Sequence, residues 1–313
     1  MLVVDIFLFI ASCILLVVSG GWLVKLLIRI ASHLRLSDFV VAFLVMALST
    51  SLPELFVGID SALIGKPSLS LGNVIGANIV NVTLVVGIVV LLGRGLKIKN
   101  PNIRKDSFFM FLTALAPVAL IVFDKTLSKD DGLILILIFL IYSWHLIRDR
   151  PASKNRFDGN ERKNFIITLI LFILSLGLLF LSARLVVGYA TITAIKFSFP
   201  LFLVGLFLIA LSTTLPELIF GIRAAMAKKA DLAIGNTIGS VVCNSTLVLG
   251  VAALIYPITP NFLLFLTSAG FMLLILFLFM LFIKKGSLSI THAILLIVMY
   301  AIFIIFELYL GRW

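Results

Sequence analysis

Charged residues are scarce in this chain. Only 12% of its 313 residues are Asp, Glu, Lys or Arg, and 62% are hydrophobic. A soluble domain carries about 25% charged residues, which it needs to cover its surface. The composition therefore excludes a soluble globular domain and predicts a polytopic membrane protein.

Cysteine and histidine are also rare, with two and three residues. Cys13 and Cys243 both fall within predicted membrane spans, so neither a disulfide framework nor a zinc site is indicated. The histidines His33, His145 and His292 lie near predicted span ends, and no Ser/His or Asp/Asp arrangement in the sequence joins them to Glu54 and Glu217, as catalysis would require. We therefore expect no enzyme activity and no cofactor.

Long apolar runs predict the fold class, an all-α polytopic membrane protein with ten transmembrane helices. Several runs exceed the ~20 residues that a helix needs to cross a bilayer. The first run carries Asp5 and lacks a basic leader, so it predicts a helix rather than a signal peptide. The predicted spans are roughly 2–31, 39–64, 68–93, 107–123, 132–147, 164–195, 200–226, 231–256, 260–283 and 288–311.

Basic residues are distributed unevenly between the loops. The formal net charge is +11, and the odd-numbered loops with their adjoining span ends hold 19 of the 25 Lys and Arg residues. Positive loops remain in the cytoplasm. We therefore expect a multi-pass plasma-membrane protein with both termini extracellular. The basic residues act as orientation signals, and no nucleic-acid partner is expected.

A nine-residue phrase occurs twice, as ALSTSLPEL at 47–55 and ALSTTLPEL at 210–218. The same shift of 163 residues aligns GNVIGANIVNVTLVVG at 72–87 with GNTIGSVVCNSTLVLG at 235–250. Two motifs repeated at one interval indicate an internal duplication.

The duplication divides the chain into two five-helix repeats. The first covers 1–147 and contains its motif region at 41–87, and the second covers 164–313 with its motif region at 204–250. A basic cytoplasmic linker at 148–163 joins them. Because each half has an odd number of spans, the second half enters the membrane in the opposite sense. This predicts an inverted-topology repeat of the kind many secondary transporters use.

The repeated motifs place an ionisable residue at membrane depth, which usually marks an ion or substrate path. Glu54 and Glu217 each follow a proline, whose missing N–H leaves the carbonyls of Ser49 and Ser212 without helical partners. The paired glycines downstream predict close helix approach. The candidate metal-binding set is Glu54, Glu217, Thr50, Thr213, Asn81, Asn244, Ser51, Thr214, Ser240, Ala47 and Ala210.

This set offers carboxylates, hydroxyls, amides and backbone oxygens. Calcium takes six to eight oxygen ligands, whereas zinc usually recruits imidazole or thiolate and magnesium retains its waters. Calcium therefore suits this set of oxygen ligands best, and sodium is a competitor for the same ligands.

These residues resemble the sodium/calcium exchanger branch of the cation/calcium antiporter superfamily. Its two alpha repeats carry Gly-Thr-Ser-Leu-Pro-Glu, then Gly-Asn-x-Ile-Gly-Ser and a downstream Asn or Asp. The resemblance implies antiport, with calcium bound by Glu54, Glu217 and the backbone oxygens of Thr50 and Thr213, and sodium bound in alternation. It also implies that spans one and six slide across an eight-helix core.

Several positions depart from the family pattern. Ser49 and Ser212 replace glycines, Thr214 replaces a serine, and Ala77 lacks the hydroxyl that its counterpart Ser240 retains. The loss at Ala77 makes three-sodium stoichiometry an open question. Asn at 244, where many microbial relatives carry Asp, implies potassium independence.

Two alternatives stay open at this point. The first is proton-coupled antiport of calcium or another divalent cation. The second is a channel, although channels usually build their pore by oligomeric symmetry.

Since this chain supplies both halves of a site, we expect it to function as a monomer. Selectivity among calcium, magnesium and manganese, and the direction of transport, are undetermined by the sequence.

Overall fold

The computed structural model describes residues 2–33, 46–148, 162–197 and 199–310, which form ten helices. Helix α2, at 46–63, consists of two segments, Met46–Thr50 and Leu52–Leu63. The others are α1 Leu2–His33, α3 Pro67–Leu92, α4 Asn102–Asp124, α5 Lys129–Arg148, α6 Arg162–Lys196, α7 Leu201–Met226, α8 Ala230–Ile255, α9 Phe262–Lys284 and α10 Ile290–Leu310.

Eight helices in the described part of the chain are long and apolar enough to cross a membrane. They confirm an all-helical membrane protein. The other two are α2, whose predicted first residues at 39–45 lie outside the described residues, and α5, which opens with the charged residues Lys129, Asp130 and Asp131. The ten-span count stays a prediction. Most of the predicted linker, 149–161, also lies outside the described residues.

Helix α4 begins five residues before the predicted start of its span at 107. Its first turn contains the exposed residues Arg104 and Lys105, which a hydropathy pattern excludes from a membrane segment. A polar turn can continue a helix at the membrane surface, because water and lipid headgroups solvate its side chains. The apolar run therefore marks the membrane-embedded part of α4 rather than the whole helix.

Helices α3 and α8 form the centre of the protein. Buried positions make up 83% of the membrane window of α3 and 78% of that of α8, against 33% for α6 and α10. The outer helices expose large apolar side chains such as Phe7, Trp144 and Ile305. Such an exposed apolar surface suits contact with lipid chains. The repeated motifs downstream of the glutamates thus lie on the two most enclosed helices.

Glycine brings α3 against the first part of α7. A Cβ atom on Gly72 would lie 2.1 Å from the backbone oxygen of Phe202, and one on Gly76 would lie 2.0 Å from that of Leu206. Only a residue without a side chain fits at these distances. The prediction of close helix approach is confirmed for this pair of glycines.

Two short antiparallel contacts join the loops. Strand β1, Leu96–Lys97, follows α3 and pairs with strand β2, Ser287–Leu288, between α9 and α10. A single bridge joins Leu127, between α4 and α5, to Ile258, between α8 and α9. Each contact satisfies backbone groups at the end of a helix pair.

Replacing Gly76 with Ala should destabilise the protein, because the new Cβ would overlap the α7 backbone. We expect the free energy of unfolding to fall by about 1–3 kcal/mol, the usual cost of overpacking. Gly177→Ala is the matched control: Gly177 is also helical, but a Cβ there meets nothing within 4 Å. Thermal unfolding in detergent measures both, and equal melting temperatures would contradict the packing described here.

Candidate ion-binding site

Helices α2 and α7 break at equivalent positions. The break in α2 is at Ser51, with φ −84° and ψ 2°, and the break in α7 is at Thr214, with φ −83° and ψ 0°. Each lies two residues before a proline, Pro53 or Pro216, that has no N–H and whose ring clashes with the preceding turn. The near-identical backbone angles follow from the same local sequence.

The two glutamates lie directly after these prolines. Glu54 and Glu217 each occupy the first turn of the helical segment that follows the break, where the helix dipole favours a negative charge. Their side chains are 0% and 1% exposed. The two carboxyl groups are close enough to interact electrostatically. The fold therefore brings two acidic groups, far apart in sequence, into one enclosed position.

The glutamate oxygens have few protein partners. Among the described residues, neither carboxyl oxygen of Glu54 has a hydrogen-bond partner, and Oε2 of Glu217 has none either. Burying an ionised carboxylate without a partner is costly. A cation or a proton at this position would supply the missing interaction.

Threonine–asparagine hydrogen bonds join the two halves. The hydroxyl of Thr50 donates to Oδ1 of Asn236 at 3.4 Å, and that of Thr213 donates to Oδ1 of Asn73 at 3.2 Å. The two bonds are equivalent under the shift of 163 residues. Sequence reasoning did not assign Asn73 and Asn236 to the site, although the recurrence of Gly-Asn-x-Ile-Gly in both halves was the signal that could have identified them.

One half carries a hydroxyl chain that the other lacks. The hydroxyl of Ser240 lies 3.3 Å from that of Thr50 and donates to Oε1 of Glu217 at 3.4 Å. At the equivalent position Ala77 is fully buried and has no hydroxyl. The carboxyl group of Glu217 therefore has a hydroxyl donor, whereas that of Glu54 lacks the equivalent one.

The predicted backbone and hydroxyl ligands differ in whether they already take part in hydrogen bonds within the protein. The carbonyl of Ala47 accepts from the N–H of Ser51 at 3.0 Å, and that of Ala210 accepts from the N–H of Thr214 at 3.1 Å. The Thr214 hydroxyl also donates to Ala210 at 2.8 Å. In contrast, the buried Ser51 hydroxyl has no hydrogen-bond partner within the described residues.

A widened helical turn begins at each candidate asparagine. Asn81–Val85 in α3 and Asn244–Val248 in α8 are π-helical. Such turns occur often at functional sites, because they displace side chains from the regular helical register. Asn81 and Asn244 are fully buried. No sequence pattern indicated these turns.

All eleven predicted site residues are buried in the structure. The hydrogen bonds and electrostatic interactions above bring together Thr50, Ser240, Glu217 and Glu54 directly. The described residues contain no group of three or more His, Cys, Asp or Glu side chains that could hold a metal ion. Glu54 and Glu217 are the carboxyl groups of the predicted set, and its other oxygens are neutral hydroxyl, amide and backbone oxygens, the kinds of ligand that calcium takes.

The helical fold defines the class, an integral membrane protein, and its oxygen-rich interior is a candidate cation site. The family model "Sodium/calcium exchanger protein" matches residues 4–148 and 167–309. The chain belongs to the sodium/calcium exchanger family.

Individual relatives cover most of the chain. An uncharacterised membrane protein of Methanocaldococcus jannaschii, MJ0091, is 30% identical over 77% of this chain and 78% of its own length. Sodium/calcium exchanger MaX1 of Methanosarcina acetivorans is 25% identical over 99% of this chain and 100% of its own length. A structure of the sodium-calcium exchanger NCX_Mj soaked with sodium and strontium aligns with a TM-score of 0.70 and 28% identity, covering 97% of this chain and 99% of that one.

Replacing Asn81 and Asn236 with Leu should have opposite effects on the ion-free protein. Neither amide atom of Asn81 has a partner among the described residues, so Asn81→Leu removes an unsatisfied buried group and should maintain or raise the melting temperature. Asn236→Leu removes the acceptor of the Thr50 hydroxyl and should cost about 0.5–1.5 kcal/mol.

The same variants distinguish a ligand from a structural residue. Asn81→Leu should reduce the rise in melting temperature that calcium or sodium produces, since a bound ion stabilises only the folded state. A full ion-induced rise in this variant would contradict a ligand role for Asn81.

Proposed function

We propose that the protein exchanges calcium for sodium across the membrane by alternating access at a site formed by Glu54 and Glu217. The observation that carries this proposal is the set of buried oxygens without hydrogen-bond partners among the described residues. They include both carboxylate oxygens of Glu54, Oε2 of Glu217, and the amide oxygens of Asn81 and Asn244. Membership of the exchanger family supports the choice of ions.

Charge balance supports calcium as one transported ion. Two carboxylates in an apolar interior are stable together only when positive charge neutralises them. One calcium ion balances both, and the amide and hydroxyl oxygens replace much of its hydration shell. Sodium ions can balance the same charge, so the two cations would compete for the site.

The predicted inverted repeat is part of this proposal. It is supported by contacts between equivalent residues: Ser19 of α1 and Ser182 of α6 are 163 residues apart, and their hydroxyls lie 3.2 Å from each other. The reciprocal threonine–asparagine bonds have the same relation. Equivalent residues meet in this way when two halves pack about a pseudo-two-fold axis, and an axis in the membrane plane gives inverted halves.

Helices α1 and α6 are suited to the moving part of an alternating-access cycle. They pack along one another and are joined at one end by an ion pair between Lys196 and Asp5. Between α3 and α7, by contrast, glycine contacts fix the helices closely. We propose that α1 and α6 move together across the remaining helices to expose the site on each side in turn.

The proposed orientation places both termini outside the cell, in a plasma-membrane protein that functions as a monomer. It rests on the basic odd-numbered loops and the positive-inside rule. The monomer is supported by the position of Glu54 and Glu217, which come from two halves of the same chain. No second subunit is needed to complete the pair.

Replacing Glu54 or Glu217 with Gln should abolish sodium-driven calcium uptake, because each variant removes one of the two negative charges that balance calcium. Uptake of radioactive calcium into proteoliposomes loaded with sodium measures this. Glu307→Gln is the matched control: Glu307 is also fully buried in a helix, but it accepts a hydrogen bond from Ser268 of α9 at 2.8 Å, which Gln can retain. Wild-type uptake in either site variant would overturn the proposal.

Ala77→Ser should strengthen sodium coupling by adding the hydroxyl that Ser240 already provides in the other half. A small cation taken from water needs each lost oxygen replaced. We expect a lower half-saturating sodium concentration or steeper sodium dependence, and the reverse for Ser240→Ala. Calcium binding in sodium-free buffer should change little, since the glutamates dominate it.

The coupling ion is decided by imposing sodium and pH gradients separately on the same proteoliposomes. A sodium gradient alone should drive calcium uptake. If a pH gradient alone drives it, and neither Ala77→Ser nor Ser240→Ala changes the sodium dependence, the protein is a proton-coupled antiporter of calcium or another divalent cation.

A further inference from the structure

A second layer of polar residues lies behind one of the two candidate asparagines. The Nδ2 group of Asn244 donates to Oδ1 of Asn78 at 3.3 Å. The Nδ2 group of Asn78 in turn lies 2.9 Å from the hydroxyl of Ser245 and 3.6 Å from the sulfur of Met272. All four side chains are buried. They connect α9 through α3 to the site on α8.

The sulfur of Met272 decides which way the Asn78 amide faces. A thioether can only accept a hydrogen bond, whereas the Ser245 hydroxyl can donate or accept. The nitrogen of Asn78 therefore belongs on the side of Met272, and its oxygen faces Asn244. The Oδ1 atom of Asn78 can only accept a hydrogen bond, so Asn244 must present its Nδ2 group to Asn78.

The opposite half has no equivalent of this chain. The positions that correspond to Asn78 and Ser245 are occupied by Val241 and Val82. Asn81, which corresponds to Asn244, has no partner for either amide atom among the described residues. Its amide is therefore not held in one orientation by a protein hydrogen bond.

We infer that Asn78 is a positioning residue: held by Met272, it orients the Asn244 amide so that its Oδ1 atom remains available to a transported cation. The Oδ1 atom of Asn244 is buried and has no protein partner among the described residues. Holding a ligand in its binding orientation lowers the entropy cost of ion binding. The same arrangement disfavours an ionised carboxylate at position 244, because an oxygen of that carboxylate would face the oxygen of Asn78.

The inference rests on the proposed ion site, and a double-mutant cycle tests it. Asn244→Ala identifies which ion depends on the amide oxygen. Asn78→Leu should raise the half-saturating concentration of that same ion about three- to tenfold, the equivalent of one lost hydrogen bond. In the Asn244→Ala background, Asn78→Leu should cause no further change, because Asn78 acts through Asn244. A full additional effect in that background would overturn the inference.

A second pair of variants tests the role of Met272 without relying on transport. Met272→Leu conserves volume and usually costs little in a core. It removes the acceptor that fixes the Asn78 amide, which can then turn and donate to an acidic residue at position 244. The melting temperature of Asn244→Asp should therefore rise when Met272→Leu is added, whereas the same change should not raise that of the wild type.

These readouts separate the two possible failures. If wild-type protein shows no sodium-driven calcium flux, the proposed function fails, and the melting temperatures still test the orientation of the amide. If flux is normal but Met272→Leu leaves the Asn244→Asp variant no more stable, the inference about Asn78 fails. Ser245→Ala is the control, because the Ser245 hydroxyl can donate or accept and so fits either orientation of the Asn78 amide. If Ser245→Ala raised the melting temperature of Asn244→Asp as much as Met272→Leu does, the role of the sulfur would also be overturned.

Discussion

The rest of the structure depends on keeping two buried carboxyl groups, Glu54 and Glu217, close enough to interact electrostatically. Neither could be ionised there without compensation, because both groups are buried and the two charges repel. The surrounding features reduce this cost. After the breaks at Ser51 and Thr214, each glutamate lies in the first turn of a new helical segment, and the helix dipole favours negative charge at that end. In the proposed exchange cycle, a bound cation supplies the remaining compensation.

The two halves are closely equivalent in backbone and unequal in side chains. Both have the same break and the same threonine–asparagine bond. The hydroxyl of Ser240 has no counterpart at Ala77. The hydrogen bond from Asn244 to Asn78 has no counterpart at Asn81, whose amide has no partner among the described residues. A symmetric backbone allows two related conformations of similar energy. In the proposed function, the unequal side chains distinguish ions that differ in charge and coordination number.

The packing of α1 against α6 differs from that of α3 against α7, and the proposed movement of α1 and α6 rests on this difference. Backbone-to-backbone contacts at Gly72 and Gly76 allow no sliding between α3 and α7 without steric overlap. Helices α1 and α6 are attached mainly to each other, and α6 carries a largely exposed apolar surface. A Ser19–Ser182 contact in the middle and the Asp5–Lys196 pair at one end hold these two helices together. Displacing them as a unit disrupts fewer close contacts than separating α3 from α7.

The sequence by itself determined the features that depend on local chemistry. Proline fixed the helix breaks, hydropathy indicated a helical membrane protein, and the repeat identified the glutamates and their neighbouring oxygens. The tertiary structure decided which groups meet across helices: Asn236 with Thr50, Asn73 with Thr213, and Asn78 with Asn244. It also decided where the π-helical turns occur. The three hydrogen bonds join side chains contributed by distant segments, so no local pattern specifies them. A hydrogen bond between residues more than 100 positions apart exists only once packing has brought the two helices together.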